Sequence, residues 1–112
     1  MKGKNIGEFE ELVLLTVGIL HENAYGLSIT DELESRLKRK VTISSVHKAL
    51  VRLEGKGYVR SYMGVASEVR GGRAKKLYQL TSTGREELNH SRELRNTMWE
   101  AVPKIVWEGG KL

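Results

Sequence analysis

The chain has 112 residues, with 19 Lys and Arg against 14 Asp and Glu and a formal net charge of +5. That size fits one domain plus an additional element, and the cation excess suits a polyanionic partner, nucleic acid before an anionic membrane. The absence of cysteine excludes disulfides, thiolate zinc sites and thiol catalysis; no apolar run approaches the roughly 20 residues of a membrane span, and Glu8, Glu10 and Glu11 interrupt any signal-peptide pattern, so a cytoplasmic home is expected.

Phe9, Leu12, Val13, Thr16, Ile19 and Leu20 recur at helical spacing, and Leu14, Leu15 and Val17 fill more of the circumference. A first helix this apolar is expected to be largely buried. His21-Glu22-Asn23 and Tyr25-Gly26 read as its end and a turn. Ser28-Ile29-Thr30-Asp31 offers a capping box for a second helix with Ile29, Leu33 and Leu37 on one face. Lys38, Arg39 and Lys40 close that helix with cations, which a helix C-terminus favours. Thr42 is the expected N-cap of a third helix. Ile43, Val46, Leu50 and Leu53 form its apolar face, and Ser44, Ser45, His47, Lys48, Val51 and Arg52 lie on or beside the opposite one. Gly55 and Gly57 offer a left-handed residue to end it.

Residues 58–63 are rich in strand formers and stop at Gly64. Residues 76–80 form a second strand, with Tyr78 and Leu80 on one face. Between them, residues 65–75 carry Glu68, Arg70, Gly71, Gly72, Arg73 and Lys75, an open hairpin with a basic tip. Thr81 or Thr83 caps a last helix that runs toward Val102. Pro103 lacks a backbone donor and breaks it, and residues 104–107 resume as a short helical piece. The order is that of a mainly α (α+β) winged helix-turn-helix (α-α-α-β-β) with an added C-terminal dimerisation helix. Residues 1–81 make the winged DNA-binding domain, and residues 82–112 the dimerisation helix and tail.

A recognition helix enters the major groove with its N-terminal residues near base edges. Thr42, Ser44, Ser45, His47 and Lys48 suit that role, and Arg52, over one turn further on, suits the backbone. The competing reading is an ordinary amphipathic helix with a solvated polar face. The hairpin tips the balance. Arg70, Arg73, Lys75 and Lys76 cluster there beside two glycines, and phosphates would neutralise them with release of counterions. An arginine at the tip could also enter a minor groove. Enzymatic readings are poor: His21, His47 and His90 have no ligand spacing, and no nucleophile-base set or phosphate loop is evident. No cofactor and no metal are expected.

The last helix carries Leu94, Met98, Val102 and Ile105 in one stripe, with Trp99 and Val106 adjoining. Leu88, Leu94, Met98, Trp99, Val102 and Ile105 are the expected contacts with a second copy, by twofold symmetry. The competing reading folds this helix back on its own domain. Trp99 and Trp107 could flank a pocket for a small aromatic effector, or simply pack in the interface.

These segments resemble the PadR family of bacterial transcriptional regulators. The resemblance runs from Gly7-Glu8-Phe9-Glu10-Glu11-Leu12-Val13-Leu14-Leu15 through Tyr25-Gly26 and Glu32-Leu33. It continues over Ser45-Val46-His47-Lys48-Ala49-Leu50-Val51-Arg52-Leu53-Glu54 and Gly57-Tyr58-Val59. It closes on Gly71-Gly72-Arg73-Ala74-Lys75-Lys76-Leu77-Tyr78-Gln79-Leu80-Thr81 and Gly84. The Gly-Gly-Arg wing leading into Tyr-x-Leu-Thr is its most specific part. The resemblance implies a homodimeric winged-helix repressor that binds double-stranded DNA and pairs through C-terminal helices. Some members of that family release DNA on binding phenolic acids or planar aromatic drugs. The family usually shows Thr-Leu-Tyr-Pro where this chain has Ser45-Val46-His47-Lys48, so general DNA contact carries over and sequence preference does not. The rival function is a winged-helix module that docks an acidic protein surface without binding DNA.

Overall fold

The computed structural model describes residues 6–64 and 74–109. The elements are α1 (Glu8–Leu20), a single 3-10 turn (His21–Asn23), α2 (Gly26–Leu37), α3 (Ile43–Gly55), β1 (Val59–Met63), β2 (Lys76–Leu80), α4 (Ser82–Ala101) and α5 (Lys104–Trp107). This is the expected winged arrangement with a long C-terminal helix.

Acidic residues fill the first turn of α1, where the helix dipole favours them. The stripe that enters the core is Val13, Leu14, Thr16 and Val17. The Thr16 hydroxyl is satisfied by donating to the Leu12 carbonyl at 2.7 Å. Phe9, Leu12 and Leu20 pack at the rim of the core, but Leu15 and Ile19 are 44% and 48% exposed. The expectation of a largely buried α1 is therefore corrected. Helices α2 and α3 cover one side of it, and the Leu15–Ile19 side has no such cover.

Helix α2 starts two residues earlier than the proposed box. Tyr25 is its N-cap, and Ser28 sits three residues on, where its hydroxyl accepts the Tyr25 N–H at 3.0 Å and donates to the Asn23 carbonyl at 2.6 Å. The helix ends at Leu37 because Lys38 adopts the left-handed conformation, φ 57° and ψ 38°. Lys38, Arg39 and Lys40 thus lie beyond the last turn, where only Arg36 offers a cation. The chain then runs to Val41, whose side chain is buried and whose N–H donates to the Glu34 carboxylate at 3.0 Å.

Thr42 caps α3 as expected, its hydroxyl accepting the Ser45 N–H at 3.1 Å. The core face is Val46, Ala49, Leu50 and Leu53. Ile43, expected at the head of that face, is 52% exposed. It falls at the edge of the stripe, since a helix turns about 100° per residue and the stripe is centred one residue further round. After α3, Gly57 takes φ 82° and turns the chain into the sheet.

Strands β1 and β2 pair antiparallel, Val59 opposite Leu80 and Met63 opposite Lys76. Side chains alternate, so Val59 and Tyr78 face the core while Arg60 and Gln79 face outward. A third rung was not foreseen. Tyr25 bridges Leu77, and the Tyr78 N–H donates to the Ala24 carbonyl at 2.8 Å. This ties the start of α2 to the root of the hairpin.

Thr81, not Thr83, caps α4. Its hydroxyl accepts the Gly84 N–H at 3.0 Å and donates to the Gly57 carbonyl at 2.6 Å, and its own N–H donates to the Tyr58 carbonyl at 3.1 Å. The first turn of α4 is thereby pressed onto the start of β1. Further along, Ser91 donates to Glu11 of α1 at 3.1 Å, and Arg95 lies 3.8 Å from the same carboxylate. The helix stops at Ala101, and after Pro103 the short α5 turns back.

Candidate nucleic-acid interface

The outward side of α3 carries two rows at four-residue steps. One is Ser44, Lys48 and Arg52; the other is Ile43, His47 and Val51. All six are exposed. Ser45 is half-buried and engaged at the cap, where it also donates to the Thr42 carbonyl at 2.8 Å. Its hydroxyl therefore helps define the helix start as much as it offers a contact. Arg52 lies 3.9 Å from Glu10 of α1, and Lys56 sits 2.8 Å from the same carboxylate. The C-terminal end of α3 is thus partly neutralised from within. Its N-terminal half presents hydroxyls, an imidazole and a lysine to solvent.

The wing is described at its root. Lys75 places its Nζ 4.0 Å from the centre of the Tyr25 ring, and Lys76 places its Nζ 5.8 Å from that of Tyr78. Both lysines remain exposed. Arg70 and Arg73 lie outside the described residues. The Lys75–Tyr25 contact matters because Tyr25 caps α2, and its neighbour Gly26 meets the tip of Ile43. A Cβ on Gly26 would lie 3.9 Å from the Ile43 Cδ1. The wing root is thus in contact with the first turn of α2, and the tip of Ile43 in the first turn of α3 lies close by.

The surface of the C-terminal part of α4 and of α5 carries exposed apolar side chains. Leu94, Met98, Trp99 and Ile105 are exposed, together with Val106 and Trp107, and Val102 is half-buried. Leu88 differs from the rest of the expected interface set, since it packs against the core of its own chain. Trp99 and Trp107 stack directly, ring centres 4.8 Å apart and planes inclined by 22°. The bend at Pro103 brings α5 back far enough to make this contact. Between α1 and α4 lies an open cleft of about 460 Å³ lined by Leu15, Leu88, Trp99, Arg85, Arg92 and Arg95. Sequence reasoning did not foresee it, because the exposure of Leu15 depends on how much of α1 the other helices cover.

Tyr58, almost fully buried at the junction of α3 and β1, has its phenol pKa raised above 10.0. The causes are burial, then the negative charge of Glu87 and a hydrogen bond to it. Among the described residues, no group of three or more His, Asp or Glu could hold a metal, and no helix is long and apolar enough to cross a membrane.

The chain resembles several solved structures. RosR of H. salinarum is 24% identical with a TM-score of 0.69, covering 92% of this chain and 86% of that one. A PadR-like transcriptional regulator from Bacillus cereus is 20% identical with a TM-score of 0.70, covering 88% of this chain and 90% of that one. PadR of Bacillus subtilis, solved in complex with operator DNA, is 22% identical with a TM-score of 0.58, covering 74% of this chain and 45% of that one. At these identities the likeness establishes the fold. No curated protein matches. The model of the Transcriptional regulator PadR-like family matches residues 14–90, from the middle of α1 through the sheet and into α4. That match takes in most of the chain, α3 and the hairpin included, and the family is one of regulators rather than enzymes: the chain belongs to the PadR-like family of transcriptional regulators.

Proposed function

We propose that this chain is a homodimeric repressor that binds double-stranded DNA, with α3 in the major groove and the wing on the adjacent backbone. The observation that carries the reading is the Lys75–Tyr25 contact, which sets the wing root against the first turn of α2, with the Ile43 tip of α3 close to Gly26 in that same turn. Thr42, Ser44, Ser45, His47 and Lys48 form the groove element. Arg52, Lys75, Lys76 and, by sequence, Arg70 and Arg73 meet phosphates. The Bacillus subtilis relative was solved on operator DNA, which supports the same use of this fold.

A second copy is the partner proposed for the exposed stripe Leu94, Met98, Trp99 and Ile105, continued by Val102. A contiguous apolar surface of that kind on a helix already anchored at its base marks an interaction site. Twofold pairing would set two reading helices on successive major grooves, roughly 34 Å apart. Repression follows in this reading from occupancy of promoter DNA. Release by a small aromatic compound is proposed on Trp99 and Trp107. Because the two indoles already stack, a planar ligand must part them or dock on an outer face.

Selection of bound duplexes from a random pool with the purified protein tests DNA binding and returns the half-site spacing. Paired half-sites about one helical turn apart are expected. A protein with no preference for duplex over a neutral polymer in dilute buffer would overturn the proposal. Arg73→Ala is expected to weaken binding to all sequences and to reduce the salt slope by about one. For the effector, aromatic compounds should quench tryptophan fluorescence and lower DNA affinity together; quenching with unchanged affinity refutes the effector role.

A further inference from the structure

Ile43 has no place in the core, and it belongs to α3 rather than to the apolar stripe of α4. It is the first residue of the reading helix, it is half-exposed, and its neighbours in sequence and one turn on, Thr42, Ser44 and His47, are polar. Its Cδ1 tip lies near the first turn of α2, where a Cβ added at Gly26 would stand 3.9 Å away at ordinary contact distance. As a β-branched residue on a helix it is also stiff at χ1. A rigid apolar group is therefore held at the end of the helix that comes nearest to base edges.

Base edges in the major groove present donors, acceptors and one apolar group, the C5-methyl of thymine. We infer that Ile43 reads a thymine methyl in each half-site, and so selects A·T at one fixed position. The inference rests on the DNA-binding reading given above. It adds an apolar contact to the row Ile43–His47–Val51, while the row Ser44–Lys48–Arg52 serves hydrogen bonds and phosphates. Val51 is equally exposed but lies two turns from the helix start, so the contact is assigned to Ile43 alone.

The test uses the full chain and a duplex recovered by selection. Thymines in the half-site are replaced by uracil one at a time, which removes the methyl and keeps every hydrogen-bonding group. The wild-type protein should lose about fourfold in affinity per half-site at a single thymine, the equivalent of one methyl group no longer buried. The loss should vanish in Ile43→Ala, persist in Ile43→Val, and be unaffected by Val51→Ala. If Ile43→Ala melts below the assay temperature, Ile43→Gln, of similar length but polar, is measured in its place. An equal thymine-to-uracil loss in wild type and in Ile43→Ala or Ile43→Gln refutes the contact, as does a loss spread evenly over all thymines, which reports duplex shape. In both cases DNA binding itself stands. Failure of the wild type to bind any duplex instead removes the function proposed above.

Discussion

Gly84 is the residue on which the attachment of α4 turns, and replacing it with alanine gives a prediction whose sign depends on the structure. In an exposed helix, Gly→Ala stabilises by about 1 kcal/mol, since alanine loses less backbone entropy. At Gly84 the added Cβ would fall on the Tyr58 carbonyl oxygen, 3.0 Å from its carbon and 3.3 Å from its Cα. Those atoms are backbone, held by the Thr81 N–H and by the first pairs of β1, so no side-chain rotation relieves the overlap. Forcing a methyl into such a site costs about 1–3 kcal/mol, and a backbone collision belongs at the upper end. The net expectation is a loss of about 2 kcal/mol, or about 8 °C in melting temperature for a chain of this length. Circular dichroism melts at one fixed protein concentration measure it, because any self-association would make the midpoint depend on concentration. Gly55→Ala is the control: it closes α3, no atom lies within 4 Å of the added Cβ, and its melting point should stay level or rise. A Gly84→Ala protein that melts at or above wild type would refute the claim that α4 is fixed by backbone contact at this point.

Thr81→Ala removes the cap of α4 and the bond to Gly57, and should cost about 1 kcal/mol in chemical denaturation. Tyr58 is stabilised in its neutral form, its pKa raised by burial and by Glu87, so its contribution is complete below pH 10 and is lost as pH climbs through the raised value. Tyr58→Phe should accordingly flatten the fall in stability above pH 10, and an unchanged alkaline limb would contradict the burial. Met98→Glu, placed on the exposed stripe of α4, should shift sedimentation toward single chains without altering the melting of the winged part by more than about 0.5 kcal/mol. Glu10→Gln weakens the pairs to Lys56 and Arg52 and should cost about 0.5 kcal/mol, the effect shrinking at high salt.

The order of elements was legible because each boundary is marked by a side chain with a local role. Thr42 and Thr81 are caps, Gly57 is a left-handed turn, and Pro103 is a break, and each acts within a few residues of itself. The readings that needed correction depend on tertiary cover. Ile19 and Ile43 match a helical stripe by spacing, yet both are exposed, since no neighbouring element fully covers them. Spacing gives a helix its apolar side but not how far the neighbours wrap it. Ser28 illustrates a different limit: Ser28-Ile29-Thr30-Asp31 looks like a cap, but the serine acts from inside a helix begun by tyrosine. The polar positions of α3 were legible as a group. Their inequality was not, since Ser45 is engaged at the cap and Arg52 faces Glu10.

The junction of Thr81, Gly84 and Tyr58 also makes α4 a lever. The helix is about 30 Å long at 1.5 Å per residue. A rotation of about 5° at its base therefore carries its far end through about 2.6 Å, by the same rise per residue. That base is fixed to the start of β1 by backbone contact, and Ser91 and Arg95 tie the middle of the helix to Glu11 of α1, so a tilt at the Trp99 end would bear on both contacts. In a paired molecule, the separation of the two winged parts would follow the angle that Gly84, Thr81 and the Glu11 contacts together give this helix.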